Sequence, residues 1–356
     1  MKKSDLLLPF SLLYGVVVTA RRSFYEKGIF KSFDLGVPTI SIGNITVGGT
    51  GKTPLVAFTA KVLAEKGEKV CILTRGYKRE NENERVLVSN GEQILVNAKQ
   101  AGDEPFELAQ KLLGKAAVLA DANRAKAGKW ARENLDITTF VLDDAFQHRK
   151  VKRHLDIICI DATNPFGNKK LLPAGILREP LQNLNRAEVI VITRSNLIDE
   201  KEIANLKTEI SKYNQKAKIF VAKNEIRDLI DLQEFHAKSQ SFQENKNLNI
   251  NYSPLTAHLA FCALGNSNAF FEQLRREKFS LAYTKAFPDH FFYSQRDIGE
   301  LEKIAQQKGA QSLLTTAKDA IKLRDLKFNL SCFVVETCMV FDDEEGLRKL
   351  IVRAGK

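Results

Sequence analysis

The stretch Thr46-Val47-Gly48-Gly49-Thr50-Gly51-Lys52-Thr53 decides how this chain is read. It lies between VPTISIG (37–43), a β-branched run that reads as a strand, and KTPLVAFTAKVLAEKG (52–67), which reads as a helix. In that helix Leu55, Phe58, Val62 and Leu63 follow helical spacing, Pro54 sits in the first turn and Gly67 lies just past the end. A glycine-rich turn with Lys-Thr between a strand and a helix is the context of a phosphate-binding loop. Gly48, Gly49 and Gly51 let backbone N–H groups curl around phosphate oxygens, and the helix N-terminus adds partial positive charge. Lys52 is expected to reach the outer phosphates, and the Thr53 hydroxyl to ligate Mg²⁺. The first position of the usual G-x-x-x-x-G-K-[ST] pattern is Thr46 rather than glycine.

Outward from this loop, strands and helices alternate. KVCILT (69–74), AAVLA (116–120), TTFVLDD (138–144), LDIICID (155–161) and AEVIVITR (187–194) read as strands. Helices are expected at 104–113 and around Arg124–Asn134, and ERVLVS and QILVN flank Asn90-Gly91 as a hairpin signal. The expected fold class is α/β, a P-loop NTPase-type, mostly parallel sheet flanked by helices. Residues 223–257 are polar and weakly periodic, so they read as a linker. Beyond them a second, smaller α/β unit is expected, with strands HLAFCAL, SLAYTKAF, AQSLLTT and CFVVETCMV and helices 267–277 and 296–307. The division is therefore 1–30, an N-terminal helix; 31–222, the phosphate-loop domain; 223–257; and 258–356, whose last helix (343–353) is in reach of the first domain. No repeat of 20–50 residues is visible.

Composition narrows the class. The chain has 356 residues, 44% apolar and 27% charged, which excludes a disordered chain, a collagen-like repeat and a polytopic membrane protein. Its 54 Lys and Arg against 43 Asp and Glu leave a net charge of +11, and suggest an anionic partner. The five cysteines are odd in number, widely spaced and without a C-x-x-C pair, so they read as free thiols in a reducing compartment. Leu6–Ala20 is almost wholly apolar between Lys2, Lys3 and Arg21, Arg22. At about 15 residues it is short of the roughly 20 needed to span a bilayer. A signal peptide fits poorly, because the run stops at two arginines and a nucleotide motif follows. Two readings remain: a helix on a membrane interface, or one packed on the body of the protein.

Other segments carry candidate chemistry. FVLDDAFQH ends a strand in Asp143-Asp144, carboxylates placed to hold Mg²⁺ or its waters. His148-Arg149-Lys150-Val151-Lys152-Arg153-His154 reads as a solvated basic face or as a holder of a phosphorylated substrate. Asp103 has a structural role open to it as N-cap of the following helix, and Arg178 and Glu179 as a loop ion pair. His290, in Phe287-Pro288-Asp289-His290, follows a strand where α/β sheets place ligands.

Taken in order, GNITVGGTGKTP, RGYKR, GDEP, LDDAFQH, LLPAGILREP, FPDH and TTAKDAIK resemble the tetraacyldisaccharide 4′-kinase (LpxK) family of lipid A biosynthesis, from residue 43 to 322. The stretch FCALGNSNAF departs from a glycine-richer family version. The resemblance implies transfer of the ATP γ-phosphate to the 4′-hydroxyl of a tetraacylated disaccharide 1-phosphate. It also implies two α/β domains joined by a small strand linker, peripheral on the cytoplasmic face of the bacterial inner membrane. By resemblance Asp103 is the general base and His290 its partner, while Thr53, Asp143, Asp144 and Glu179 handle Mg²⁺. Arg75, Arg124, Gln147, Arg149 and Arg178 are candidates for holding the substrate or the transferred phosphoryl group. The rival reading is a membrane-surface ATPase switch of the partition or insertion type. Its distinctive lysine before the paired glycines is Val47 here. Nucleic acid is not an expected partner, since no basic stretch is interleaved with aromatics.

Overall fold

The β-branched runs in the first two hundred residues become strands that helices cover on both faces. The computed structural model describes residues 6–238 and 256–356; Lys2, Lys3 and the 239–255 part of the expected linker lie outside the described residues. Strands β1 (Thr39–Asn44), β2 (Val70–Thr74), β4 (Ala116–Ala120), β5 (Thr139–Asp143), β6 (Leu155–Asp161) and β7 (Val189–Thr193) are buried at every position. Such unbroken apolar strands belong to parallel sheets with two covered faces. Short β3 (Val86–Ser89) pairs antiparallel on the outer edge. The Asn90-Gly91 turn forms, with Gly91 at φ 100° and the Leu95 N–H donating to the Val88 carbonyl. The expected second hairpin strand reduces to one bridge, Ser89 to Ile94, because the chain turns into a short helix at Ala98–Ala101.

The second unit contains β9 (Ala257–Cys262), β10 (Ser280–Ala286), β11 (Ser312–Thr316) and β12 (Cys332–Phe341). A long strand, β8 (Lys218–Asp231), joins it to the first. Val189 to Ile192 of β7 pair in parallel with Lys218 to Val221, whereas Ala222 to Asp231 pair antiparallel with β12. Among the described residues the sheet therefore runs β10-β9-β11-β12-β8-β7-β6-β1-β5-β2-β4-β3. Residues 223–231, read from the sequence as part of a polar linker, are the second half of β8. Charged residues lie between Ile226 and Ile230, and the strand is half exposed, which masks its two-residue period. The helix Glu344–Ala354 packs against the helix Lys52–Ala64 and β1, and puts Leu347 and Ile351 into the first core. The five cysteines are free, four of them buried and Cys338 half-buried.

The N-terminal helix, Leu8–Glu26, is docked on the LLPAGILREP loop. Ser11 Oγ donates to the Leu171 carbonyl (3.0 Å) and accepts from the Ala174 N–H (2.9 Å). The Tyr14 hydroxyl donates to the Arg178 carbonyl (3.0 Å), and Arg22 meets Asn183. With Leu6 just before its start, its outer face carries Phe10, Leu12, Leu13, Val16 and Val17, each of the six more than half exposed. No helix among the described residues is long and apolar enough to cross a membrane.

Candidate active site

β1 delivers the phosphate loop. Its outer arm is pinned to the loop that carries the N-terminal helix, since Thr46 bridges to Leu177 and the Val47 N–H donates to the Ile176 carbonyl (2.8 Å). Thr46 is buried in ordinary backbone, whereas Gly48 and Gly51 sit at φ 105° and 82°. Only the latter positions favour glycine, so threonine is tolerated at the first. The Thr193 hydroxyl donates to the Thr50 carbonyl (2.9 Å), and Asn44 Nδ2 donates to Thr50 Oγ1 (3.0 Å), fixing the loop from below. No side chain caps the helix that starts at Lys52, and its first-turn amides are set out as an anion site.

β5 pairs beside β1, with Ile42 opposite Asp143, so its two terminal carboxylates stand next to this loop. Asp144 takes a left-handed backbone, φ 46°. Arg178 Nη1 lies 2.9 Å from both its oxygens, and Lys52 Nζ lies 3.6 Å away. Burial would raise the Asp144 carboxyl, but the Lys52 and Arg178 charges outweigh it and hold it below the usual carboxylate range. Asp143 is the opposite case. Its only side-chain donor among the described residues is Thr74 Oγ1 (3.0 Å), and burial, with the Glu104 and Asp144 charges, pushes it up to about 7. Arg124, buried, donates to the Asp143 carbonyl (3.1 Å).

The second half closes the other side. The Asp103 carboxylate does not cap its helix, Asp103–Lys111: the N-cap is Gly102, at φ 86°, with no side-chain cap. Buried Asp103 turns instead to His290, its Oδ2 lying 3.2 Å from Nδ1 of the imidazole. His290 itself is left-handed, φ 63°, a conformation that costs a non-glycine residue on the order of 1 kcal/mol and is often found at functional sites. The Tyr77 ring meets the imidazole edge-on, with centroids 5.8 Å apart. Burial opposes ionisation of Asp103, yet the His290 hydrogen bond and the Lys322 and Lys318 charges hold its carboxyl below the usual range. Lys318 spans from Asp289 (3.2 Å) to Glu104 (3.5 Å).

A cavity of about 1240 Å³ opens between the halves, lined by Gly48–Pro54, Thr74–Lys78, Arg124, Asp143, Asp144 and Arg178 on one side and by Gly265, Asn266, His290 and Lys318 on the other. Of the expected substrate-holding residues, Arg75, Arg124 and Arg178 line it. Thr46 and Val47, expected with the nucleotide, line a neighbouring pocket, and three further expected site residues are placed elsewhere. Glu179, expected at Mg²⁺, is buried against Arg186 (3.0 Å) and Asn183 (2.6 Å), so its charge is already compensated. Arg149 lies over the Tyr25 ring and 3.7 Å from Glu26, and Gln147 donates to the Asn44 carbonyl (2.9 Å). Most of the basic run is likewise spent on the fold: Lys152 reaches Asp34, and Arg153 pairs with Asp156. Sequence reasoning gave no role to Tyr77, Thr74, Lys318 or Lys322. The spacing of the two lysines, one helical turn apart in TTAKDAIK, is the signal that marked a shared face.

Mg²⁺ fits this donor set. Thr53 and the two carboxylates are hard oxygen donors on one cavity, and among the described residues no cation pairs directly with buried Asp143. Among the described residues no group of three or more His, Cys, Asp or Glu is placed to hold a metal ion by itself.

Comparison with known proteins gives the family. Residues 4–356 match the family model described as LpxK, tetraacyldisaccharide-1-P 4′-kinase. A tetraacyldisaccharide 4′-kinase of Halothermothrix orenii is 35% identical over 318 residues, 87% of this chain and 80% of that protein. One of Aquifex aeolicus is 34% identical over 347 residues, 98% of each. The crystal structure of LpxK from Aquifex aeolicus in complex with ATP superimposes with a TM-score of 0.76 at 33% identity, covering 99% of each chain. With a match that runs nearly end to end, the chain belongs to the tetraacyldisaccharide-1-P 4′-kinase family.

Proposed function

We infer that the chain transfers the γ-phosphate of ATP to the 4′-hydroxyl of tetraacyldisaccharide 1-phosphate, a step of lipid A synthesis. The observation that carries this reading is the meeting of Asp103 and His290, from opposite halves, at the edge of the phosphate-loop cavity. A sugar hydroxyl is a weak nucleophile and needs a base beside it. Asp103, held ionised, keeps a proton poorly by itself; through its bond to Nδ1 it stabilises the imidazolium formed when His290 takes the hydroxyl proton. Lys52 and Arg178, now on Asp144, are in reach of the cavity where charge develops on the transferred group. Mg²⁺ bound by Thr53 with Asp143 or Asp144 would neutralise phosphate charge. A simple ATPase switch has no use for an imidazole brought in from a second domain, and this favours the kinase.

The N-terminal helix supports attachment to the cytoplasmic face of the inner membrane. Ser11, Tyr14 and Arg22 fasten one face to the body, and the opposite face is apolar and exposed. The two readings left open by the sequence are thus compatible, one for each face. Incubation of the purified chain with labelled ATP, Mg²⁺ and tetraacyldisaccharide 1-phosphate should place label in the lipid. Release of free phosphate with no labelled lipid would restore the ATPase switch.

A further inference from the structure

The segment Thr315–Lys322 is taken up by none of these roles. β11 ends at Thr316, whose hydroxyl accepts from the Asp319 N–H (3.2 Å) and donates to Asp319 Oδ2 (2.7 Å), closing the turn Ala317–Ala320. The turn sets Lys318 and Lys322 toward the helix Asp103–Lys111. Lys322 Nζ lies 3.7 Å from Asp103 Oδ2, 3.1 Å from Asp319 Oδ1 and 5.5 Å from the Tyr293 ring centroid. Its side chain is 1% exposed, and among the described residues no acceptor meets it in hydrogen-bonding geometry.

A buried ammonium is costly, and an apolar side chain of similar size at such a place is often neutral or stabilising. Asp319 is its nearer counter-ion, a carboxylate also held by three neutral donors, Thr316 Oγ1, the Ala263 N–H and the Tyr293 hydroxyl, and it accounts for one side of the surroundings of this ammonium. What remains is the contact across the cleft. We propose that Lys322 is a positioning residue for phosphoryl transfer: a water-excluded cation, anchored in the second half, that keeps Asp103 ionised and aimed at His290. The inference rests on the role given above to the Asp103–His290 pair.

The charged groups around that pair are Lys322, Lys318, Glu104 and Asp289. Removing the Lys322 charge leaves burial freer to raise Asp103. The sign is that less Asp103 is ionised at a given pH.

The test compares wild type, Lys322→Met, Lys322→Arg, Lys322→Met/Asp319→Asn and Asp103→Ala, assayed with ATP, Mg²⁺ and tetraacyldisaccharide 1-phosphate, each with its melt. The double variant removes the Lys322–Asp319 pair together, so Asp319 is not left as an unpaired buried carboxylate if Lys322→Met fails to fold. The expected result is a kcat loss of about tenfold or more for both Met variants, with KM for ATP unchanged. The acid limb of their kcat profile should move up by about one pH unit, and Lys322→Arg should recover most of both. A folded Met variant with wild-type kcat and an unmoved acid limb overturns the inference while leaving the pair in place. Normal turnover by Asp103→Ala overturns the role of the pair, and Lys322 with it.

Discussion

Asp103 and His290 stand 187 positions apart and share one hydrogen bond, so neither does its work alone. If they act as a unit, the loss from either substitution includes the loss from both. Asp103→Ala, His290→Ala and the double variant should each lose about 10²–10⁴-fold in turnover, to similar final rates, with ATP binding kept. Additive losses in a double-mutant cycle would separate the two residues. His148 offers a prediction of another kind. Burial first, then the Arg124, Arg153, Lys150 and Arg21 charges, push its imidazole down to about 3. The unfolded chain therefore takes up a proton near pH 6.5 that the folded chain refuses, and stability falls as pH drops from about 6.5 toward 3. His148→Gln should flatten this slope by about 2 kcal/mol at pH 4, allowing for partial exposure, as read by denaturant melts at pH 7.5 and 4.

At the scale of elements, the N-terminal helix sets two forces against each other. A basic residue near an anionic surface contributes about 1 kcal/mol and is screened by salt, whereas burying one Leu, Val or Phe side chain contributes roughly 1.5–3 kcal/mol. With six such side chains on the exposed face, the apolar contribution should dominate. Leu13→Asp with Val17→Asp should cut binding to anionic lipid vesicles by at least tenfold without lowering the melting temperature, since neither side chain is buried in the fold. Arg21→Gln should weaken binding only a few-fold, and only at low salt. Equal sensitivity to both changes would mean that charge, not the apolar face, is the anchor. The opposite face was less legible in the sequence. Ser11, Tyr14 and Arg22 are ordinary polar interruptions until the LLPAGILREP loop is placed beneath them.

For the whole molecule, the relevant feature is that one cavity is walled by two halves joined through β8 and β12. A ligand seated there contacts both and stabilises them together. At a concentration 100 times its Kd, binding contributes about 2.7 kcal/mol, or a rise of several degrees in melting temperature for a chain of this size. ATP with Mg²⁺ should raise a single transition by that amount, and Lys52→Ala, with the phosphate-loop cation gone, should abolish most of the rise. Two transitions with only one displaced by ATP would show that the halves respond separately.

The phosphate loop, the strands around it and the covered parallel sheet are written in local sequence. Glycines at positive φ, apolar runs and helix-end residues act within a few positions of one another, and Gly48, Gly51 and Val189–Thr193 needed no distant partner to be read. Partner choice is not local. A carboxylate such as Glu179 looks the same in sequence whether it faces a metal ion or Arg186, and the fold gave it Arg186. Asp103 read as well for a helix cap as for a base, until the second half brought His290 and Lys322 to it. Residues 223–231 read as a linker because their polar residues, Lys223 to Glu225 and Arg227-Asp228, break the two-residue alternation, and only pairing with β12 made them a strand. Backbone conformation follows from short-range sterics, which the sequence carries. The pairing of buried charges follows from which segments, far apart in the chain, exclude water from the same place, and that was settled only when the two halves met.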